Sequence, residues 1–217
     1  MATKEKILDT AERLIADQGF AGTSLRHIIA EAGVNLAAVH YHFGSKQDLL
    51  DQLILRKASA VNEERIAILT KLEEESGSDR LPVEKVLDAF FAPMIRVGSR
   101  NPQFVKLMGR LYGEGMLPGV IEKHFQPTLR RFVQALKKSL PELSEGELFW
   151  RMQFMYGAMS QAVCGWDAFP PGVDVQRDSA DFGRVMGRLM VFLCAGFLAP
   201  ATAGDDVNET VLDTAGG

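Results

Sequence analysis

Apolar residues recur along most of the chain at the spacing of helices. In the first predicted helix, from Thr3 to Gln18, they fall at i, i+1, i+4, i+7 and i+8 and form one stripe. Alternating apolar and polar positions, which are typical of strands, do not occur. The sequence therefore predicts an all-α protein of about nine helices, which begin near Thr3, Ser24, Leu36, Lys46, Pro82, Asn101, Val120, Glu145 and Ala180.

The first three predicted helices are short and are separated by glycines. Gly19 is expected to stop the first helix, and Thr23 is expected to cap the second. Gly33 then allows the left-handed turn that leads into a third helix, from Leu36 to His42. Two short helices joined in this way predict a helix-turn-helix over residues 24–43.

Several later boundaries carry clear signals. The fourth helix is capped by Ser45 and is expected to run to about Leu72. The seventh is predicted from Val120 to Leu140, the eighth from Glu145 to Trp166 and the ninth from Ala180 to Leu198. Residues 199–217 carry four acidic residues and no Lys or Arg, so they predict a disordered acidic tail.

Composition limits the kind of protein. Of 217 residues, 47% are apolar and 24% are charged, which is enough for a sizeable core. The net charge is -4, whereas a protein that coats nucleic acid indiscriminately is usually basic. Residues 1–46 hold five bases and five acids, so any contact with DNA must come from a surface of defined geometry.

Targeting and metal signals are weak. The N-terminus lacks the apolar core of a signal peptide. The longest apolar stretch, Val185 to Ala199, is too short to cross a bilayer and contains Arg188. Cys164 and Cys194 do not have the spacing of metal ligands. A soluble cytoplasmic protein with no cofactor, no metal and no membrane partner is expected.

An enzyme is the first competing interpretation. No nucleophile elbow, phosphate loop, zinc pattern or paired-carboxylate signature is present. His27, His40 and His42 crowd the helix-turn-helix, but the last two are two positions apart on a helix and point in different directions. Surface histidines near phosphate explain them better than a metal site, so the sequence argues against an enzyme.

The first 50 residues resemble the DNA-binding domain of the TetR family of repressors. The shared elements are Thr23-Ser24, Ala32-Gly33-Val34, His40-Tyr41-His42-Phe43 and the run from Ser45 to Leu50. The resemblance implies a DNA-binding domain over 1–47 and a helical domain for ligand binding and dimerisation over 48–198.

The resemblance also implies which residues contact DNA. These are Thr23, Ser24, Arg26, Asn35, Leu36, Ala37, Ala38, His40, Tyr41, His42 and Lys46. Among them, His40, His42 and Lys46 would hold phosphates. The family often has Lys or Arg at the position of Leu36, Thr or Ser at that of Ala38, and Tyr at that of His40. These departures leave a second interpretation open, a helical ligand- or protein-binding module without DNA binding.

A narrower likeness concerns the effector. The run from Asn35 to Val39 with the following Tyr-His-Phe-Gly-Ser-Lys, and the run from Glu147 to Met155, resemble a branch with fatty-acid-responsive regulators. An apolar acid or its coenzyme A thioester is the expected effector. The candidate wall residues are Phe90, Phe104, Met108, Leu111, Tyr112, Phe125, Arg151, Phe154, Met155 and Met159. The candidate partners of an acidic head group are Arg96, Arg110, Arg130 and Arg151.

The eighth predicted helix is apolar on almost every side, so it must be covered on both faces. One face would pack on its own domain and the other on a second subunit. In the TetR family the last two long helices pair as a four-helix bundle. The expectation is a homodimer through these helices that binds double-stranded operator DNA as a repressor and is released by a small apolar molecule. The fourth helix would tilt as a pendulum between the two sites.

Overall fold

The computed structural model describes residues 3–35, 41–164 and 182–201. These residues form nine helices and no strand, which confirms the all-α prediction. The helices are α1 (Thr3–Gly22), α2 (Leu25–Ala32), α3 (Lys46–Ser76), α4 (Val83–Arg100), α5 (Pro102–Gly113), α6 (Leu117–His124), α7 (Gln126–Ser139), α8 (Glu145–Cys164) and α9 (Phe182–Leu198).

Parts of three predictions lie outside the described residues. Of the third predicted helix, only Tyr41 and His42 are described, and both are helical. The predicted end of the eighth helix at Trp166 and the loop that follows it are not covered. The same holds for the predicted acidic tail beyond residue 201.

The predicted cap of α2 is wrong by one residue. Ser24 is the N-cap, and its hydroxyl accepts a hydrogen bond from the His27 amide at 3.1 Å. The Thr23 hydroxyl instead donates to the carbonyls of Leu14 and Gly19, at 3.3 and 2.8 Å. A buried hydroxyl needs such partners. Because the Thr23 side chain is buried against α1 and bonded to its carbonyls, it is not available to cap α2.

Gly19 interrupts α1 as predicted but does not end it. Its backbone has φ 80° and ψ 165°, and helical geometry resumes and continues to Gly22. The fourth predicted helix also runs further than expected, to Ser76, where Gly77 with a positive φ of 54° follows it. In both places a glycine supplies a backbone angle that other residues rarely adopt.

The single helix predicted from Val120 to Leu140 is wrong. The structure has two helices, α6 and α7, with a break at Phe125. Pro127 lies in the first turn of α7, where a missing N–H costs nothing. Inside a continuous helix its ring would collide with the carbonyl of Lys123, so the chain bends there instead.

Two apolar clusters form the core, and α3 contributes to both. The first joins α1, α2 and the first half of α3 to Leu107 and Leu111 of α5 and to Leu117 and Val120 of α6. The second joins the end of α3 to α4, α7, α8 and α9. The packing around the helix-turn-helix therefore continues across the predicted boundary between residues 47 and 48.

A buried arginine secures the end of α9. Arg151 on α8 donates to the carbonyls of Phe197, Ala199 and Pro200, at 2.7 to 3.0 Å. Its guanidinium also pairs with Glu147, one turn earlier on the same helix, at 2.7 Å. The last carbonyls of a helix have no partner within it, so Arg151 supplies the cap that ties α9 to α8.

Replacing Arg151 with methionine should therefore destabilise the protein. The change leaves three carbonyls and the Glu147 carboxylate without their donor, so we expect the free energy of unfolding to fall by about 2–4 kcal/mol. Urea denaturation followed by circular dichroism measures the change. Arg130→Met at an exposed position of α7 is the matched control, and it should shift stability by less than about 0.5 kcal/mol. Equal effects of the two substitutions would contradict the capping role.

Candidate functional site

A left-handed glycine makes the turn after α2. Gly33 has φ 58° and ψ 42°, and its N–H donates to the carbonyl of Ala30. The next amide, that of Val34, donates to the carbonyl of Ile29 at 3.2 Å. This arrangement closes the helix and redirects the chain, as the sequence predicts for the turn of a helix-turn-helix.

Several predicted DNA-contacting side chains lie on the surface around this turn. Ser24, Arg26 and Asn35 are exposed, and His42 is partly buried. Tyr41 is 86% exposed, which is unusual for a large aromatic side chain. The predicted contacts of Leu36, Ala37, Ala38 and His40 lie outside the described residues.

Two predicted contacts have structural roles. The Thr23 side chain is buried against α1, as described above. The Lys46 ammonium donates to the carbonyls of Phe20 and Thr23, both at 2.8 Å, and lies 4.1 Å from the centre of the Phe20 ring. Lys46 thus fastens the start of α3 to the end of α1, and its ammonium already has two acceptors.

Ion pairs offset part of the negative charge of the N-terminal helices. Their pairs are Glu5, Asp9 and Glu12 with Arg56, Asp17 with Lys106, and Glu31 with Arg13. The Lys106 and Arg13 hydrogen bonds lower the pKa values of Asp17 and Glu31. Arg56 and Lys106 come from outside residues 1–46, so later parts of the chain supply two of the positive charges that pair with these acids.

An apolar cavity of about 90 Å³ lies between the helices of the C-terminal part. It is bordered by α3, α4, α5 and α8, by Leu117 and Phe125, and by Phe182 of α9. Four residues of the predicted wall line it: Phe104, Met108, Phe125 and Met159.

The other predicted wall residues lie elsewhere. Phe90 and Met155 border a separate, smaller gap, and Leu111 is buried in the first core cluster. Tyr112 and Phe154 are exposed on the outside, and Arg151 caps α9. The arginines predicted for a head group do not reach the cavity either: Arg96 pairs with Glu64, Arg110 donates to α1, and Arg130 is exposed.

Two polar residues of the cavity wall escaped the sequence prediction. Arg65 of α3 is 3% exposed and Ser160 of α8 is 2% exposed. Burial lowers the pKa of Arg65 to about 9, so its guanidinium still carries a charge at neutral pH. A signal for Arg65 exists in the sequence, because it falls at a core position of α3 between Val61 and Leu69.

Helix α5 lies between the cavity and the N-terminal helices. Phe104 and Met108 line the cavity, and with Leu107 and Leu111 they form one apolar stripe of α5 that packs in the cluster that contains α1. Polar contacts add to this packing: Lys106 with Asp17 at 2.6 Å, and the Glu114 carboxylate with the Ala21 amide at 3.2 Å. Helix α1 packs more extensively against α5 than against any other helix.

An apolar face is left uncovered on the last two helices. Phe149, Trp150 and Phe154 of α8 are 55–64% exposed, and Val191, Phe192 and Leu198 of α9 are 51–74% exposed. The rings of Trp150 and Phe154 stack with their centres 6.1 Å apart. Contiguous exposed aromatic side chains of this kind are typical of an interaction surface.

Comparison with known proteins explains this combination of elements. A family model described as bacterial regulatory proteins of the tetR family matches residues 7–53. A second, described as the tetracyclin repressor-like C-terminal domain, matches residues 88–196, half of the chain. The chain belongs to the TetR family of transcriptional regulators. This assignment confirms the sequence-based interpretation of a DNA-binding regulator rather than an enzyme.

Individual relatives extend the match over most of this TetR-family chain. It is 24% identical to the transcriptional regulator AcrR of Shigella flexneri over 206 residues, 92% of this chain and 94% of AcrR. It is 41% identical to the probable regulator YttP of Bacillus subtilis over 54 residues, 25% of this chain and 26% of YttP. A TetR-family structure from Shewanella sp. PV-4 shares the fold with a TM-score of 0.60 at 20% identity, covering 88% of this chain and 98% of that one.

Regulators of the TetR family bind operator DNA and act as dimers. Among the described residues of this regulator, no helix is both long enough and apolar enough to cross a membrane. The narrower likeness to fatty-acid-responsive regulators is not decided by these comparisons and stays a prediction.

Substitution of Lys46 by methionine should lower the stability of the regulator. Two charge-assisted hydrogen bonds at the junction of α1 and α3 are lost, so we expect a loss of about 1–2 kcal/mol. Thermal unfolding provides the measurement, with Lys4→Met at an exposed position of α1 as the control. If Lys46→Met weakens only DNA binding and leaves unfolding unchanged, the fastening role is wrong and Lys46 acts as a phosphate contact alone.

Proposed function

We propose that the protein is a homodimeric repressor that a small apolar molecule, bound in the cavity, releases from its operator. The observation that carries this proposal is the position of α5, whose apolar stripe lines the cavity with Phe104 and Met108 and packs in the core of the N-terminal helices with Leu107 and Leu111. A molecule that fills the cavity therefore acts directly on an element that supports the DNA-binding helices.

The proposed DNA surface surrounds the glycine turn. Ser24 and Arg26 reach DNA from α2, while Asn35 and Tyr41 flank the segment that enters the major groove. Leu36, Ala37 and Ala38 meet the base edges, and His40, His42 and Lys46 hold phosphates. Pairing of the acidic residues with Arg56, Lys106 and Arg13 supports this role, because it removes negative charge that would repel phosphates.

The proposed dimer forms through the exposed apolar face of α8 and α9. A two-fold dimer uses the same patch on both subunits, and the stacked rings of Trp150 and Phe154 are suited to such a contact. The two DNA-binding segments must then reach successive major grooves, which lie about 34–36 Å apart. Any motion that changes this separation weakens binding to the operator.

Two helices transmit the effect of the ligand in this proposal. The start of α3 is fastened to α1 by Lys46, and its middle borders the cavity through Ala58, Val61 and Arg65. Together with α5 it gives the cavity two connections to α1. Coupling of about 1–3 kcal/mol between the two sites is enough for a regulatory response. The proposed effector is an apolar acid or its acyl-coenzyme A thioester, consistent with a wall made mostly of Met, Phe and Val side chains.

Selection of bound sequences from a random pool of double-stranded DNA tests the function. We expect a palindrome with half-sites about one helical turn apart. Tyr41→Ala should weaken binding about tenfold or more without changing the melting temperature, because Tyr41 is exposed. Tyr112→Ala is the matched control, an exposed tyrosine on α5 that should leave binding unchanged. If no sequence is enriched at low salt by the folded dimer, a helical binding module without DNA binding becomes the better interpretation.

The dimer contact predicts a clear effect of charge. Phe154→Asp places a carboxylate in the proposed apolar interface, so we expect dissociation to monomers and loss of most of the operator affinity. Sedimentation velocity measures the assembly. Leu55→Asp is the control, an equally apolar exposed residue on α3 outside the proposed face. A Phe154→Asp protein that remains dimeric would move the interface away from α8.

A further inference from the structure

The guanidinium of Arg65 lies in the cavity wall with few partners. Its Nε donates to the Phe90 carbonyl at 2.7 Å, and Nη1 reaches the Asn62 side chain at 3.4 Å, which is long for a hydrogen bond. The charge also lies over the Phe90 ring, 4.0 Å from its centre. Three of the five N–H groups of Arg65 therefore make no hydrogen bond with the described residues.

No carboxylate of the described residues forms an ion pair with Arg65. Arg151, which is also buried, and Arg56, which is partly buried, differ in this respect. Arg151 pairs with Glu147 at 2.7 Å, and Arg56 pairs with Glu5, Asp9 and Glu12. A buried charge is normally paired, so an arginine that borders a cavity without an acidic partner indicates that the partner is a ligand.

A second polar group lines the same cavity. The Ser160 hydroxyl is buried and has no hydrogen-bond partner among the described residues. Serine in a helix usually bonds to water or to a carbonyl one turn earlier, and a buried hydroxyl without either is costly. Arg65 on α3 and Ser160 on α8 thus bring unused donors from two different helices to one apolar cavity.

We propose that this cavity binds a compact apolar monocarboxylate whose carboxylate is held by Arg65 and Ser160. The carboxylate accepts hydrogen bonds from the free N–H groups of Arg65 and from the Ser160 hydroxyl. The apolar body packs against Phe104, Met108 and Met159. The inference names the effector class of the proposed function and rests on it for any regulatory consequence.

Size and charge favour a free acid over its coenzyme A thioester. The cavity volume of about 90 Å³ is small beside the roughly 300–1,000 Å³ of most ligand sites. A thioester carbonyl is neutral, so it cannot compensate the charge of Arg65 as a carboxylate does. A compact acid with a short apolar chain satisfies both limits.

Calorimetric titration of the full-length dimer with hexanoate and with hexanamide tests the charge requirement. The two molecules have the same shape, but only hexanoate is an anion. We expect hexanoate to bind at least about tenfold more tightly, as charge-assisted hydrogen bonds require. Equal affinities, tighter binding of hexanoyl-coenzyme A, or no binding of hexanoate would overturn the proposal.

Substitutions at the two polar residues test the assignment. Arg65→Met should abolish the preference for hexanoate over hexanamide, Arg65→Lys should retain part of it, and Ser160→Ala should weaken hexanoate binding several-fold. Arg65→Met should also unfold at an equal or higher temperature than the wild type, because it removes a buried charge that lacks a partner. A large loss of stability would contradict the premise that the charge of Arg65 is poorly compensated within the protein, and the proposal would fail.

Operator release is measured separately, by fluorescence anisotropy of labelled operator DNA. Hexanoate that binds with the expected dependence on Arg65 but leaves the operator bound supports the carboxylate site and contradicts the proposed mode of release. Release by hexanamide as effectively as by hexanoate has the opposite meaning, because it supports ligand-induced release and overturns the carboxylate site.

Discussion

The packing of α5 into the core of the N-terminal helices is the constraint on which the other features depend. Small helical units bury only a limited share of their surface, so packing of a further helix enlarges their core. Leu107 and Leu111 of α5, with Leu117 and Val120 of α6, complete that core. The DNA-binding helices therefore share their core with the element that also borders the cavity. This shared core connects the DNA-binding helices directly with the cavity, without a separate linker.

Much of this architecture could be predicted from the sequence, because it depends on residue patterns within single helices and turns. Most of the helices, the turn at Gly33 and the cap at Ser45 follow from spacing and from residue type, and the structure confirms them. Errors arose where two local signals competed. Thr23 and Ser24 are both good caps, and only the burial of Thr23 decides between them. Pro127 is the signal that divides α6 from α7, but the apolar stripe through it favoured one helix.

The cavity was harder to predict, because its wall comes from segments far apart in sequence. Phe, Met and Leu at helical spacing fill a core as readily as they line a pocket, so only four of the ten predicted wall residues border the cavity. The role of each arginine is equally hard to predict from the sequence, because its partner can lie far away along the chain. Arg151 has a partner one turn away on its own helix, and Arg56 finds its three acids on α1. Arg65 is recognisable in the sequence as a charge inside an apolar stripe, but only the folded chain shows that no described residue gives it an acidic partner.

Close packing determines what a ligand in this cavity would do. Protein interiors have few voids, so a side chain displaced at one face of a helix moves the helix rather than being absorbed. Phe104 and Met108 are one turn apart on α5, and Leu107 and Leu111 lie beside them on the same apolar stripe, in the core cluster that contains α1. A carboxylate held by Arg65 would engage α3 at the same time, and Lys46 fastens the start of that helix to α1. In the proposed mechanism α3 and α5 shift together. The polar contact with the ligand and the filling of the cavity then contribute to one motion of the DNA-binding helices.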